Sequence, residues 1–128
     1  MKAVPSQKST TQRIYIVDDD DSVRRALGRL IGSKQLNFES FASGEEFLES
    51  LPPNAQGCVV LDIRMAGLSG HDVQEQLRAR GQNIPVIALS AQQDEETPRR
   101  ARELGAVAFF QKPVDNQALL DAIHWAIE

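Results

Sequence analysis

Cys58-Val59-Val60-Leu61-Asp62 is an uninterrupted apolar run that stops on a carboxylate, and its reading decides the fold. A strand with one wet face alternates apolar and polar residues, whereas a continuous run suits a strand covered on both faces, the situation inside a parallel sheet. Two further runs have the same form: Ile14-Tyr15-Ile16-Val17, closed by the four aspartates Asp18 to Asp21, and Val86-Ile87-Ala88-Leu89, closed by Ser90. Between them the apolar period changes from continuous to helical. Val23, Ala26, Leu27, Leu30 and Ile31 recur at the spacing of one helix face. Strands alternating with helices define an α/β chain with a parallel sheet.

The remaining segments complete the alternation. An extended piece over Leu36–Phe41 leads to Ser43-Gly44-Glu45-Glu46, in which Ser43 and Glu46 have the spacing of a capping box, and Pro52-Pro53 stops the short helix that follows. A third helix over Gly70–Arg80 ends at Gly81. Thr97-Pro98 has the form of an N-cap and first helical residue for a fourth helix, because proline is tolerated in the first turn. A fifth strand over Ala106–Phe110 runs into Gln111-Lys112-Pro113, and Asp115 or Asn116 caps a last helix whose apolar face is Leu119, Leu120, Ile123 and Ile127. Trp125 falls beside that stripe and is expected to be half exposed.

Composition narrows the functional classes. The chain has 128 residues, 41% hydrophobic and 25% charged, which is the profile of one ordinary globular domain. With 18 acidic residues against 14 basic ones the net charge is −4, so the basic field that non-specific nucleic-acid binding relies on is missing. Residues 1–12 lack apolar periodicity and are expected to form a flexible leader, leaving 13–128 as the domain. That N-terminal stretch has no hydrophobic core of a signal peptide, and no apolar run reaches the roughly 20 residues that cross a bilayer, so a cytoplasmic location is expected. The single cysteine, Cys58, lies within a strand and reads as a buried thiol. His71 and His124 are isolated in sequence from each other and from the carboxylates, and neither is assigned a role.

In an open parallel sheet ligands bind beyond the carboxyl ends of the strands, where the strand order reverses. The unusual polar residues all follow strands: Asp18 and Asp19 the first, Asp62 the third, Ser90 the fourth and Lys112 the fifth. A flavodoxin-like (βα)5 doubly wound sheet of order 2-1-3-4-5 makes strands one and three neighbours and gathers Asp18, Asp19 and Asp62 into one pocket. Three carboxylates so placed repel, which raises their pKa values unless a cation neutralises them, and oxygen-only ligands suit a hard divalent ion, Mg²⁺. A hydroxyl and an ammonium on the far side of the pocket then suit an oxyanion. Phosphoryl transfer needs mainly positioning and charge neutralisation, and an aspartate can be its nucleophile.

Four strings carry a resemblance: Val17-Asp18-Asp19-Asp20, Leu61-Asp62-Ile63-Arg64-Met65-Ala66-Gly67-Leu68-Ser69-Gly70, Ala88-Leu89-Ser90-Ala91 and Lys112-Pro113. In this order and spacing the chain resembles, over 13–127, the receiver domain of two-component response regulators, and most closely the FixJ-type receivers that precede a helix-turn-helix DNA-binding domain. The resemblance implies that Asp62 accepts a phosphoryl group from a sensor histidine kinase or a small donor such as acetyl phosphate. It further implies Mg²⁺ held by Asp18, Asp19, Asp62 and the Arg64 backbone carbonyl, phosphoryl contacts from Ser90 and Lys112, a cis bond before Pro113, and Phe109 as a switch residue that follows Ser90. Arg64 and Gln92 would flank the phosphoryl group and tune its lifetime. The readout would be the surface of the fourth helix, fifth strand and fifth helix, through homodimerisation or an output domain or partner protein, such as a DNA-binding domain outside this chain. The chain would then be a phosphorelay switch in transcriptional control and no enzyme beyond its own phosphorylation and dephosphorylation. Two departures stand out: Ala66 where the family commonly has proline, and the polar stretch Gln92–Pro98, whose proline is expected to delay the fourth helix.

Two rival readings use the same residues less well. A haloacid-dehalogenase-type phosphatase would make Asp18 the nucleophile and Asp20 the general acid, leaving Asp62 without a task. A receiver-like module that binds without taking phosphate would leave the full set of Asp18, Asp19, Asp62, Ser90 and Lys112 unexplained.

Overall fold

A computed structural model of the chain describes residues 12–128, and within them five strands and five helices alternate. These are β1 (Gln12–Val17), α1 (Asp21–Gly32), β2 (Phe38–Phe41), α2 (Gly44–Ser50), β3 (Gln56–Asp62), α3 (Gly70–Ala79), β4 (Val86–Ser90), α4 (Glu96–Glu103), β5 (Ala108–Gln111) and α5 (Asn116–Ile127). All strand pairs are parallel and the order is β2-β1-β3-β4-β5. Successive residues of a strand point to opposite faces, so each central strand feeds two cores. Tyr15, Val17, Val59 and Leu61 meet Phe47 and Leu48 of α2 and Val73 and Leu77 of α3 on one side. Ile14, Ile16, Cys58, Val60, Ile87 and Leu89 meet Leu27 and Ile31 of α1 and Leu119 and Ile123 of α5 on the other. Phe109 and Phe110 divide in the same way: Phe109 packs on Ile63, Ala88 and Ala101, and Phe110 on the α1/α5 core. Burial pushes the Cys58 thiol up to about 12, which makes it an inert core residue.

Several boundaries differ from the sequence reading for identifiable reasons. β1 starts at Gln12, two residues before the apolar run, because Gln12 and Arg13 pair with Gln56 and Gly57; the expected leader therefore loses Gln12, and 1–11 lie outside the described residues. β2 starts only at Phe38, and Asn37 contributes just its carbonyl, to the Ile14 N–H. β5 starts at Ala108, since Gly105 turns the chain at φ +102° and the Ala106 N–H goes back to the Ala101 carbonyl of α4. Asp20 caps α1, accepting the N–H groups of Ser22 at 2.8 Å and Val23 at 3.2 Å, while Asp21 pairs with Arg24. Ser43 accepts the Glu46 N–H as expected, and a fully reciprocal box forms at Ser69 and Asp72. Asp115 caps α5 through the Ala118 N–H.

The fourth helix corrects the expected Thr97-Pro98 start. α4 begins at Glu96, Thr97 is its second residue, and the Asp94 carboxylate caps the turn by accepting the Thr97 N–H at 2.9 Å. Pro98 delays nothing, because the first four helical N–H groups have no intrahelical partner and proline lacks only such a group. Trp125 is 65% exposed, more than half.

α4 is tied to α3 by polar contacts. The fully buried Gln74 amide donates to the Ala101 carbonyl at 2.9 Å, His71 meets the other end of that amide at 3.3 Å, and Glu75 pairs with Arg100 at 2.6 Å. Gln74→Ala removes a buried hydrogen bond and leaves a cavity, so it is expected to lower unfolding free energy by about 2–3 kcal/mol, read from the urea midpoint at unchanged m.

Candidate phosphoryl-accepting site

The register sets the site at one sheet edge. Val17 pairs with Leu61, Asp62 with Leu89 and Ser90 with Gln111, so Asp18, Asp62, Ser90 and Lys112 leave neighbouring strands at about one level. Asp18 and Asp62 are 1% and 4% exposed, although charged side chains are seldom buried without a partner. The partner is Lys112, whose Nζ lies 2.8 Å from Asp18 Oδ2 and 3.3 Å from Asp62 Oδ1. Asp19, next to Asp18 but exposed, completes the trio, with one carboxylate oxygen from each of the three within 4.8 Å of the others.

Electrostatics follow from this packing. Burial, reinforced by the negative charge of Asp18, pushes the Asp62 carboxyl from 3.8 up to about 6, against the pull of Lys112 and of the Arg64 backbone N–H. Burial also pulls the Lys112 ammonium down, but its hydrogen bonds to Asp18 and Asp62 and their charges outweigh this and leave it raised. Lys112 therefore stays cationic. Asp18 is fixed at both ends: its Oδ1 accepts the Asp20 N–H at 2.9 Å, and its carbonyl accepts from Arg24 Nη1 at 2.6 Å.

Two loops frame the pocket. After β3 the chain is fastened at Ile63, whose N–H reaches the Leu89 carbonyl at 2.9 Å, and at Gly70, whose N–H returns to the Ile63 carbonyl at 2.8 Å. A Cβ on Gly70 would lie 2.6 Å from the Asp62 carbonyl oxygen, so only glycine lets α3 start this close to the acceptor strand. At the end of β4, buried Ser90 accepts the Gln92 N–H at 3.0 Å through its hydroxyl, and Arg64 Nη2 bridges the loops to Gln92 Oε1 at 2.8 Å. The Lys112–Pro113 bond is cis, as expected.

The structure thus brings Asp18, Asp19, Asp62 and Lys112 together and puts Ser90 at the end of β4 and Arg64 on the loop after β3. Phe109 sits apart from them, opposite Ala88, on the α4 side of the sheet. Sequence reasoning missed the double pairing of Lys112 with Asp18 and Asp62, and it missed Glu45, which accepts the Leu68 N–H at 3.3 Å. A residue 23 positions away on another helix has no sequence signal for that contact.

A sheet of this order with acidic groups, a hydroxyl and a lysine at its carboxyl edge defines a receiver module, and the family model of the response regulator receiver domain matches residues 14–124. The chain belongs to that family, the phosphorylation-activated signalling module of response regulators. It is similar to the response regulator protein TodT of Pseudomonas putida, 44% identical over 115 residues, which covers 90% of this chain and 51% of TodT. The transcriptional regulatory protein FixJ of Azorhizobium caulinodans is 36% identical over 110 residues, covering 86% of this chain and 52% of FixJ. Among solved structures the response regulator StyR superposes with a TM-score of 0.86 at 42% identity, covering 91% of this chain and 59% of that one. The chain therefore spans about half the length of the curated relatives it matches. Among the described residues no helix is long and apolar enough to cross a membrane.

Proposed function

We propose that Asp62 accepts a phosphoryl group from the phosphohistidine of a sensor histidine kinase, or from acetyl phosphate, and that this chain is the switch of a cytoplasmic transcriptional regulator. The observation that carries the reading is the buried Asp18–Lys112–Asp62 arrangement, with Lys112 bridging two carboxylates at 2.8 and 3.3 Å. An Asp62 carboxylate oxygen attacks phosphorus, the P–N bond of the phosphohistidine breaks, and the imidazole leaves with the bonding electron pair. Asp18, Asp19, Asp62 and the Arg64 carbonyl supply the all-oxygen donor set that fits Mg²⁺, whose charge would offset that of the phosphoryl oxygens.

The chain's own groups do the rest. Lys112 keeps its bond to Asp18 and offers its remaining protons to a phosphoryl oxygen. Ser90, whose oxygen already accepts from Gln92, donates its O–H to another. Movement of Ser90 would be followed by Phe109 and read on the α4–β5–α5 face, by a second copy of the chain or by an output domain that contacts DNA, since a net charge of −4 gives this chain no overall basic field. Arg64 and Gln92, joined at 2.8 Å, would tune how fast water reaches the acyl phosphate. Catalysis is confined to the chain's own phosphorylation and dephosphorylation. Asp20 is already engaged as the α1 cap, which weakens the phosphatase reading that needs it as a general acid.

Intact-mass measurement after incubation with acetyl phosphate tests the proposal. A single base-labile phosphoryl adduct that requires Mg²⁺ and is absent from Asp62→Asn is expected. An adduct persisting in Asp62→Asn, or phosphate release lost in Asp18→Asn yet kept in Asp62→Asn, would overturn it.

A further inference from the structure

Every polar atom of Asp18 is engaged. Its N–H donates to the Phe41 carbonyl of β2 at 3.1 Å, Oδ1 accepts the Asp20 N–H at 2.9 Å, Oδ2 accepts from Lys112 Nζ at 2.8 Å, and the carbonyl oxygen accepts from Arg24 Nη1 at 2.6 Å. Three of these partners are backbone groups or the pocket lysine, whereas the fourth is a long side chain reaching back from α1. Arg24 is anchored for that reach: its own N–H bonds the Asp20 carbonyl at 3.0 Å, and its side chain is only 16% exposed. The second nitrogen of its fork, Nη2, pairs with the Asp21 carboxylate, which is 71% exposed and stands outside the acidic trio. One guanidinium therefore spans from a solvent-facing carboxylate to the backbone of a buried one.

We infer that Arg24 is a positioning residue for the acidic site: by holding the Asp18 carbonyl it fixes the peptide unit from which Asp19 departs, and so keeps both carboxylates in the arrangement that a divalent cation needs. The inference rests on the reading of Asp18, Asp19 and Asp62 as the Mg²⁺ ligands. The Asp18 carbonyl belongs to the planar Asp18–Asp19 peptide, so its direction sets ψ of Asp18 and φ of Asp19 together. Both residues lie past the end of β1, where the path of the chain depends on the turn at Asp20 and on Arg24. Groups that orient a metal's ligands contribute to its affinity, and loss of one typically weakens binding 10–100-fold. Arginine suits the task because its planar fork serves two acceptors at once, which a lysine ammonium does not do in a fixed geometry. Position and charge act in opposite directions here. A cationic side chain near the pocket repels Mg²⁺, so if Arg24 acted by charge alone its loss would tighten binding, whereas loss of the carbonyl bond loosens it.

Isothermal titration of the whole 128-residue chain with MgCl₂ separates the two, comparing wild type with Arg24→Met, Arg24→Gln, Asp21→Asn, Gln74→Ala and Asp19→Asn. Both Arg24 variants are expected to raise the Mg²⁺ dissociation constant by roughly tenfold. Asp21→Asn removes an exposed charge that salt screens and leaves the carbonyl bond in place, so it is expected to bind within about twofold of wild type. Gln74→Ala loses a buried bond between α3 and α4, away from the pocket, and is expected to cost stability while leaving Mg²⁺ affinity within about twofold; it shows what destabilisation alone does to binding. An Arg24 variant that binds Mg²⁺ as tightly as wild type, or more tightly, overturns the inference, as does equal weakening in Asp21→Asn or in Gln74→Ala. Absence of Mg²⁺ binding in wild type, or undiminished binding in Asp19→Asn, would instead overturn the underlying ligand assignment.

Discussion

Gly57→Ala is expected to destabilise the chain by more than about 4 kcal/mol, a large part of the roughly 5–15 kcal/mol that holds a domain of this size folded. Gly57 lies in β3 directly opposite Arg13 of β1, at φ +126°, a conformation that L side chains rarely adopt. A Cβ built there meets the Arg13 carbonyl oxygen at 1.8 Å and the Arg13 nitrogen at 2.7 Å. Both atoms belong to backbone, so no rotamer change relieves the contact. The strands would have to separate at the pair that carries Asp18 on one side and Asp62 on the other. Gly81 provides the comparison: its φ is +71° but nothing lies within 4 Å of its Cβ position, so Gly81→Ala should lose only about 1–2 kcal/mol from backbone conformation. Urea unfolding followed by far-UV circular dichroism reads both. Equal losses in the two variants would mean that the start of β1 detaches from β3 at little cost and that the close approach is not what makes Gly57 necessary.

Gly57 also marks where sequence reading stops. The interiors of β1, β3 and β4 were legible because each is a continuous apolar run ending on a polar residue, and strand ends are where an open parallel sheet puts its site. The pocket residues Asp18, Asp19, Asp62 and Lys112 therefore followed from chain order, and the strand order from the rule for such sheets together with family resemblance. Boundaries were less legible. Gln12 and Arg13 are polar residues recruited into β1 by the β3 backbone, and Ala106 is an apolar residue diverted from β5 by a carbonyl of α4. Composition cannot show either, because the deciding partner is backbone from elsewhere in the chain. Capping was ambiguous where candidates were adjacent: four consecutive aspartates all have the right chemistry for α1, and only the chain path selects Asp20. At α4 the obvious Thr97-Pro98 pair lost to Asp94, three residues before Thr97, because proline fits any position of the first turn. The bond from Arg24 to Asp18 was out of reach for the most general reason, that its acceptor is a backbone carbonyl and has no residue signature.

Asp62→Asn is expected to make the metal-free protein more stable at pH 7, by about 2 kcal/mol, although it removes the residue on which the proposed chemistry depends. Burial and the charge of Asp18 raise the Asp62 carboxyl to about 6 from the 3.8 it would have in the unfolded chain. An acid whose folded pKa lies above its unfolded one binds its proton more tightly when folded. Below about pH 4 the group is protonated in both states and costs nothing; between about 4 and 6 the unfolded chain ionises first and stability falls; above 6 the full penalty remains. Two pKa units correspond to roughly 3 kcal/mol, reduced in the comparison because the asparagine amide must still be desolvated and Lys112 retains only Asp18. The gap between Asp62→Asn and wild type should therefore be widest near pH 7 and close as pH approaches 4, which separates Asp62 from the other carboxylates common to both proteins. Mg²⁺ should narrow the gap at pH 7 by stabilising wild type, by about 2.7 kcal/mol at a concentration 100 times its dissociation constant. Thermal unfolding at pH 4, 5.5 and 7, with and without Mg²⁺, measures all of this. A variant less stable than wild type at pH 7 would mean that the 3.3 Å contact between Lys112 and Asp62 outweighs burial, so that the site rests as a satisfied ion pair instead of holding a charge whose cost a cation relieves.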